Sequence, residues 1–194
     1  DCLRTAGAEL VFFSPVHDTA LPKDICGLYL PGGYPELYAG QLSANRSMLA
    51  SVRRAVERGL PTVAECGGFL YLGQSLEDAN GERWPMAGVL PGQGFRVGRL
   101  VRFGYAALTA HADSMLFRAG ERLPVHEFHH WDSTDNGTGL PPQSQTGNNG
   151  TAALQMSISM RASRICIGRA RPCPGGSWMP PHTIIKRNRT NDRA

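Results

Sequence analysis

The sequence predicts an α/β fold with a doubly wound, mostly parallel sheet. Three observations carry this. Short apolar strands alternate with an amphipathic helix over residues 9–64, as βαβ units require. A strand then runs directly into a helix through the tight turn Ala64-Glu65-Cys66-Gly67-Gly68. A glycine pair, Gly32-Gly33, follows another strand end, the place where open α/β sheets bind ligands.

Taken in order, Leu3-Arg4 closes a helix that Gly7 stops, and Glu9 to Phe13 forms the first strand. Leu28 to Leu30 is the second, leading into Gly32 and Gly33, which permit positive φ and close approach to a ligand. Ser43-Ala44-Asn45 opens a helix through Glu57. Its apolar face holds Met48, Leu49, Val52, Ala55 and Val56, and Gly59 ends it. Pro61 to Ala64 is the third strand, and Phe69 to Leu76 reads as a helix. From Met86 to Ala107, short alternating stretches with glycines indicate antiparallel strands. Val125 to Trp131 is a further strand, and no internal repeat is visible.

Cys66 is the candidate nucleophile. Ala64 and Gly68 flank it at two residues on either side, the small-residue spacing a tight nucleophile elbow needs. At a helix N-terminus, the dipole and free N–H groups favour a thiolate. A buried structural cysteine is the alternative reading.

His126-Glu127-Phe128-His129-His130 matches the zinc-protease string H-E-x-x-H. Chelation requires a helix, where i and i+4 side chains lie about 5–6 Å apart. Pro124, Val125, Phe128 and Trp131 favour a strand instead. Along a strand, i and i+4 are separated by about 13 Å, too far to share one ion. No metal site is therefore expected, and these histidines read as structural or interface groups. His17 and His111 read as surface or loop residues.

The 194 residues suit one domain with a sizeable core. The five cysteines show no paired spacing, which fits a reducing cytoplasm. No apolar run reaches the roughly 18 residues of a membrane span, and no signal peptide is visible. The chain opens at Asp1-Cys2 without Met, as a fragment would. The net charge of +4 is unevenly divided. Residues 141–194 hold eight Lys or Arg and one acid, Asp192, for a net +7, while the rest is −3. The body is thus mildly acidic, and its charge does not point to nucleic acid. No P-loop string G-x-x-x-x-G-K-[ST] occurs.

Three strings together, Leu28–Tyr38 (L-Y-L-P-G-G-Y-P-E-L-Y), Ala64–Leu72 (A-E-C-G-G-F-L-Y-L) and His126–Asp135 (H-E-F-H-H-W-D-S-T-D), carry a family resemblance. The chain resembles class I glutamine amidotransferase domains of the cobyrinic acid a,c-diamide synthase type, over residues 1–139. The resemblance implies a flavodoxin-like amidotransferase fold. It implies that Cys66 attacks the side-chain amide of glutamine and releases ammonia. It also implies that the backbone N–H groups of Gly33 and Gly67 bind the tetrahedral oxyanion, each such donor contributing about 3–4 kcal/mol. In the family, a C-terminal histidine is the base. An N-terminal domain, expected in the missing upstream part, uses ATP and Mg²⁺ to amidate the a and c carboxylates of a corrin, cobyrinate or hydrogenobyrinate. The resemblance allows a homo-oligomer. Two alternatives are a noncatalytic module that binds a partner domain and another hydrolase with a cysteine elbow.

Residues 140–194 change character. They are poor in aliphatic periodicity and rich in Pro, Gly, Asn, Arg and Ser, the composition of a disordered basic tail. A shifted reading frame is the sharper expectation. Codons for residues 160–168, read from the third base, permit a string containing His-Leu-His, like the one that holds the family's catalytic histidine. Residues 142–151 and 177–180 likewise permit family-like strings. On that reading the slip enters at residues 137–140, and the base, the last strand and the terminal helix are missing from this polypeptide.

Overall fold

The structure is a computed structural model that describes residues 2–5, 7–98, 102–109, 118–135, 142–144, 156–159 and 183–187. A short helix α1 (Cys2–Thr5) precedes strand β1 (Ala8–Phe12). Between them Gly7 takes φ 89° and donates its N–H to the Arg4 carbonyl at 2.9 Å, a conformation that costs glycine little. Strand β2 (Gly27–Leu30) leads into a loop and a 3-10 turn over Pro35–Tyr38. Helices α2 (Ala39–Ala44) and α3 (Arg46–Glu57) follow, then strand β3 (Thr62–Glu65) and helix α4 (Gly67–Leu72).

Helix α3 forms where its apolar positions recur with helical spacing. Met48, Leu49, Val52 and Val56 are buried, while Arg53, Arg54 and Glu57 face solvent. Asn45 caps it, its side-chain oxygen accepting from the Met48 N–H at 3.3 Å. The same side chain donates to the carbonyls of Pro15 and Asp18, each at 2.8 Å. One residue thereby satisfies the helix start and pins the loop after β1. The buried face of α3 joins a core with Leu28 and Leu30 of β2, Ala64 of β3 and Leu72 of α4.

The remaining strands are β4 (Ser75–Glu77), β5 (Arg83–Pro85), β6 (Gln93–Arg96), β7 (Arg102–Thr109), β8 (Arg122–His129), β9 (Trp131–Ser133), β10 (Pro142–Ser144), β11 (Met156–Ser159) and β12 (Thr183–Arg187). They form three sheets. The central one has the order β1-β12-β2-β3-β11. The second is β10-β7-β8, and the third is β5-β4-β6-β9.

The central sheet is less parallel than expected. Among its described pairs only β2 and β3 are hydrogen-bonded in parallel, Tyr29 lying opposite Val63. Strand β12 runs antiparallel to both β1 and β2, and β11 runs antiparallel to β3. Strands β1, β2 and β3 therefore share one direction, as their βαβ alternation predicts. The two opposed strands come from the stretch expected to be a disordered tail. Composition missed them because each is short, yet Thr183-Ile184-Ile185 is β-branched throughout, which suits a pleated sheet. The strings assigned to a shifted frame at 160–168 and 177–180 lie outside the described residues, as does His111.

One helix is shorter than its apolar run suggests. Phe69 to Leu76 was expected as a single helix, but α4 ends at Leu72. Gly73 donates to the Leu70 carbonyl at 3.1 Å and adopts extended backbone. The chain then enters β4, with Leu76 fully buried. Four apolar residues before the glycine and Leu76 after it fit both periods, and packing decides between them.

Candidate active site

Strand β3 delivers its last residue to a turn that few side chains tolerate. Cys66 has φ 48° and ψ −110°, a strained conformation for a residue with a Cβ. The two glycines that follow it make the turn passable. A Cβ on Gly67 would lie 2.7 Å from Pro35 Cδ and 2.8 Å from the Gly33 carbonyl oxygen. A Cβ on Gly68 would overlap the Leu30 carbonyl oxygen. The elbow thus packs directly on the loop after β2.

That loop brings Gly32 and Gly33 to the cysteine. Neither takes a positive φ, contrary to the expectation from their sequence. A Cβ on Gly32 would sit 3.5 Å from Cys66 Cβ, an ordinary van der Waals contact that places this loop directly beside the elbow. The backbone N–H groups of Gly67 and Gly33 lie near enough to the Cys66 sulfur to favour its charged form. The loop after β2 and the elbow thus come together around Cys66.

The thiol is not the low-pKa group its helix position suggested. Burial pushes the Cys66 thiol up, and the two backbone hydrogen bonds oppose that only in part. The carboxylates of Glu36 and Glu65 add to the upward push. Helix α4 has six residues, so its dipole is short, and desolvation prevails.

A second finding corrects the reading of the histidines. His129 was expected to be a structural or interface group, with no base near the cysteine. Its Nδ1 lies 3.8 Å from Cys66 Sγ. The reason is strand alternation. Along β8, Glu127 is buried and His129 partly so, while His126, Phe128 and His130 are exposed on the other face. Position 129 therefore turns toward the elbow. The strand reading of H-E-x-x-H itself holds, and the outer histidines make aromatic contacts. His126 meets Tyr105 edge-on at 5.1 Å, and His130 meets Phe128 at 5.5 Å. Among the described residues, no group of three His, Cys, Asp or Glu is placed to hold a metal ion.

Two further groups escaped the sequence. Tyr29, on β2, donates its hydroxyl to Glu65 Oε2 at 2.7 Å. Burial and the adjacent carboxylate push that phenol well above its ordinary value. Glu36, in the 3-10 turn, is buried, and burial raises its pKa although His130 works the other way. A strand residue three positions before Gly32 and a carboxylate in a loop carry no sequence signal of a site.

The sequence matches the CobB/CobQ-like glutamine amidotransferase domain (GATase_3) over residues 1–161. The chain belongs to this family. The match extends past residue 139, where the family-like part was expected to end. Among curated relatives, it is 48% identical over 132 residues to the cobyrinate a,c-diamide synthase of Salmonella typhimurium, covering 68% of this chain and 28% of that protein. It is 49% identical over 130 residues to the hydrogenobyrinate a,c-diamide synthase of Pseudomonas aeruginosa, covering 67% and 28%. A cobyrinate a,c-diamide synthase of Caldanaerobacter subterraneus is 44% identical over 130 residues, covering 67% and 29%. The aligned part of this amidotransferase chain thus spans under a third of the length of these relatives. Among its described residues, no helix is long and apolar enough to cross a membrane.

Proposed function

We propose that this domain hydrolyses glutamine and supplies the ammonia for ATP-dependent amidation of the a and c carboxylates of cobyrinate or hydrogenobyrinate. One observation carries the reading. Cys66 takes φ 48° at a strand-to-helix elbow packed on the Gly33 loop, with the backbone N–H groups of Gly33 and Gly67 favouring charge at its sulfur, in a chain whose family is glutamine amidotransferase. An atom built on that sulfur finds donors already oriented, as oxyanion stabilisation requires.

Cys66 attacks the amide carbon of the glutamine side chain. The carbonyl oxygen takes up negative charge and is held by the N–H groups of Gly33 and Gly67. The C–N bond breaks once the nitrogen is protonated, ammonia departs, and a thioester remains on Cys66. Water adds to that thioester, glutamate leaves and the thiol is restored. The two-step route is the general advantage of a covalent nucleophile. The corrin, ATP and Mg²⁺ belong, on this reading, to the part of the relatives that this chain does not cover, and the setting is the cytoplasm.

Ammonia release from glutamine, measured on this chain and on Cys66→Ala, tests the proposal. Release by the first and its loss in the second are expected. Equal release from both would overturn it. A noncatalytic partner-binding module would release none.

A further inference from the structure

We infer that Glu36 is a specificity-determining residue of this site, its carboxylate receiving the α-ammonium group of glutamine while the side-chain amide lies at Cys66. This rests on the reading of Cys66 as a glutamine-hydrolysing nucleophile and adds the group that tells free glutamine from other amides.

The 3-10 turn over Pro35–Tyr38 inverts the usual order of burial. Its apolar residues Leu37 and Tyr38 are exposed, as is Tyr34 before them, while Glu36 is only 9% exposed. A buried carboxylate among exposed apolar neighbours calls for a reason. Packing fixes where it faces. Leu37 donates its N–H to the Tyr34 carbonyl at 3.1 Å, closing the turn. Pro35 lies against the start of α4, its Cδ 2.7 Å from where a Cβ on Gly67 would be. The turn is thereby seated on the elbow, and Glu36 is close enough to oppose negative charge on the Cys66 sulfur.

The carboxylate lacks a full counter-charge. Burial raises its pKa, and a hydrogen bond from its own backbone N–H and the charge of His130 work the other way. Among the described residues, no Lys, Arg or His is ion-paired with it. A buried carboxylate is costly without a paired cation, so a cation arriving beside it is favoured. The other carboxylate near the sulfur, Glu65, is already engaged by the Tyr29 hydroxyl at 2.7 Å. An incoming ammonium is therefore directed to Glu36.

Glutamine has the reach. Its amino nitrogen is four bonds from the reacting amide carbon, about 5 Å when extended. The ammonium N–H groups donate to the carboxylate oxygens, a charge-assisted contact stronger than a neutral one. An amide without that ammonium leaves Glu36 buried and without its cation, which is how a polar site rejects an analogue. The substrate class is thus a free amino acid, with peptide-bound and acylated glutamine excluded.

Protection of Cys66 from iodoacetamide tests this without turnover. Alkylation of the full chain at neutral pH, followed by mass mapping, is measured against rising glutamine and rising glutaramate, which is glutamine without its amino group. Glutamine should protect the parent at a concentration at least about tenfold lower, the contribution of one hydrogen bond to a charged group. In Glu36→Gln that preference should vanish, because glutamine loses affinity and glutaramate does not. Equal protection of the parent by the two compounds, or no protection by glutamine, would overturn the proposal. So would a Glu36→Gln variant that weakens for both alike or keeps the parent's ratio. Should Glu36→Gln lose its circular dichroism, Glu36→Asp decides, since its carboxylate is withdrawn by one carbon. Its preference should fall below the parent's, and an unchanged preference would overturn the proposal. Ammonia release is then read separately. KM for glutamine should rise at least about tenfold in Glu36→Gln with kcat little changed, as for a lost binding contact. A fall in kcat at constant KM would overturn the role of Glu36. The expected preference in protection, with no ammonia from the parent, would keep that role and reject the glutaminase reading.

Discussion

Gly68 sits so close to Leu30 that a Cβ on the glycine would fall inside contact distance of the Leu30 carbonyl oxygen and 2.7 Å from its carbon. This approach seats the first turn of α4 against β2. It also sets the depth of the elbow relative to the Gly33 loop.

Gly68→Ala should therefore destabilise the fold. The methyl group meets backbone, which cannot rotate away. A loss of about 1–3 kcal/mol is expected from overpacking of this kind. Urea denaturation of the parent and variant would show it as a lower midpoint. An unchanged midpoint would mean that α4 can lift from the sheet at little cost.

Asn45 offers a test that separates two roles of one side chain. Its oxygen caps α3, and its nitrogen binds the carbonyls of Pro15 and Asp18. Asn45→Asp keeps an acceptor for the cap but loses the donor. Asn45→Ala loses both. Loss of the cap alone costs about 1 kcal/mol, and each neutral hydrogen bond contributes about 0.5–1.5 kcal/mol net. Asn45→Ala should be the less stable variant in thermal denaturation, with Asn45→Asp between it and the parent.

Glu36 should make stability depend on pH in the acidic range. Burial raises its pKa in the folded chain, so the native state holds the proton more tightly than the unfolded chain. Its contribution is fully present below the ordinary carboxylate range. It is lost as pH rises through the folded value. Glu36→Gln removes this term. The variant should lose less stability between pH 4 and 7 than the parent, as followed by urea midpoints at each pH. A steeper loss in the variant would contradict the assignment.

Cys66 should be selected by glutamine analogues that carry an electrophile. Cys26 is also partly exposed, but only Cys66 stands at a strand-to-helix elbow among the described residues. Mass mapping should place the adduct on Cys66 and leave Cys2 and Cys26 unmodified. Because burial raises the thiol, a simple alkylating agent should discriminate far less than the glutamine analogue. An adduct on Cys26 would sink the assignment.

The legible parts of this protein are the local ones. Met48, Leu49, Val52 and Val56 announced α3 by spacing alone, and Asn45 and Gly59 marked its limits. Ala64 and Gly68 announced the elbow, because tight packing around a turn leaves small residues at fixed offsets. What sequence could not show is meeting across distance. His129 looked like part of a metal string and is placed beside sulfur by the register of a hairpin. Gly33 looked like a turn glycine and instead packs its carbonyl against the elbow at Gly67. Strand β12 enters between β1 and β2, a choice made by partners some 170 residues earlier in the chain. Composition, which averages over a long stretch, has no means of registering three β-branched residues inside it.

The sulfur and the imidazole come from separate sheets, the first from the turn after β3 and the second from β8. On a ribosome they emerge at different moments. A nascent chain that has released Cys66 still lacks its partner for another 63 residues. Until the elbow is buried, the thiol lacks the desolvation that pushes its pKa up, and it ionises as an ordinary solvated cysteine does. The protein is therefore born with its thiol open to solvent, and shelters it only by completing its own assembly.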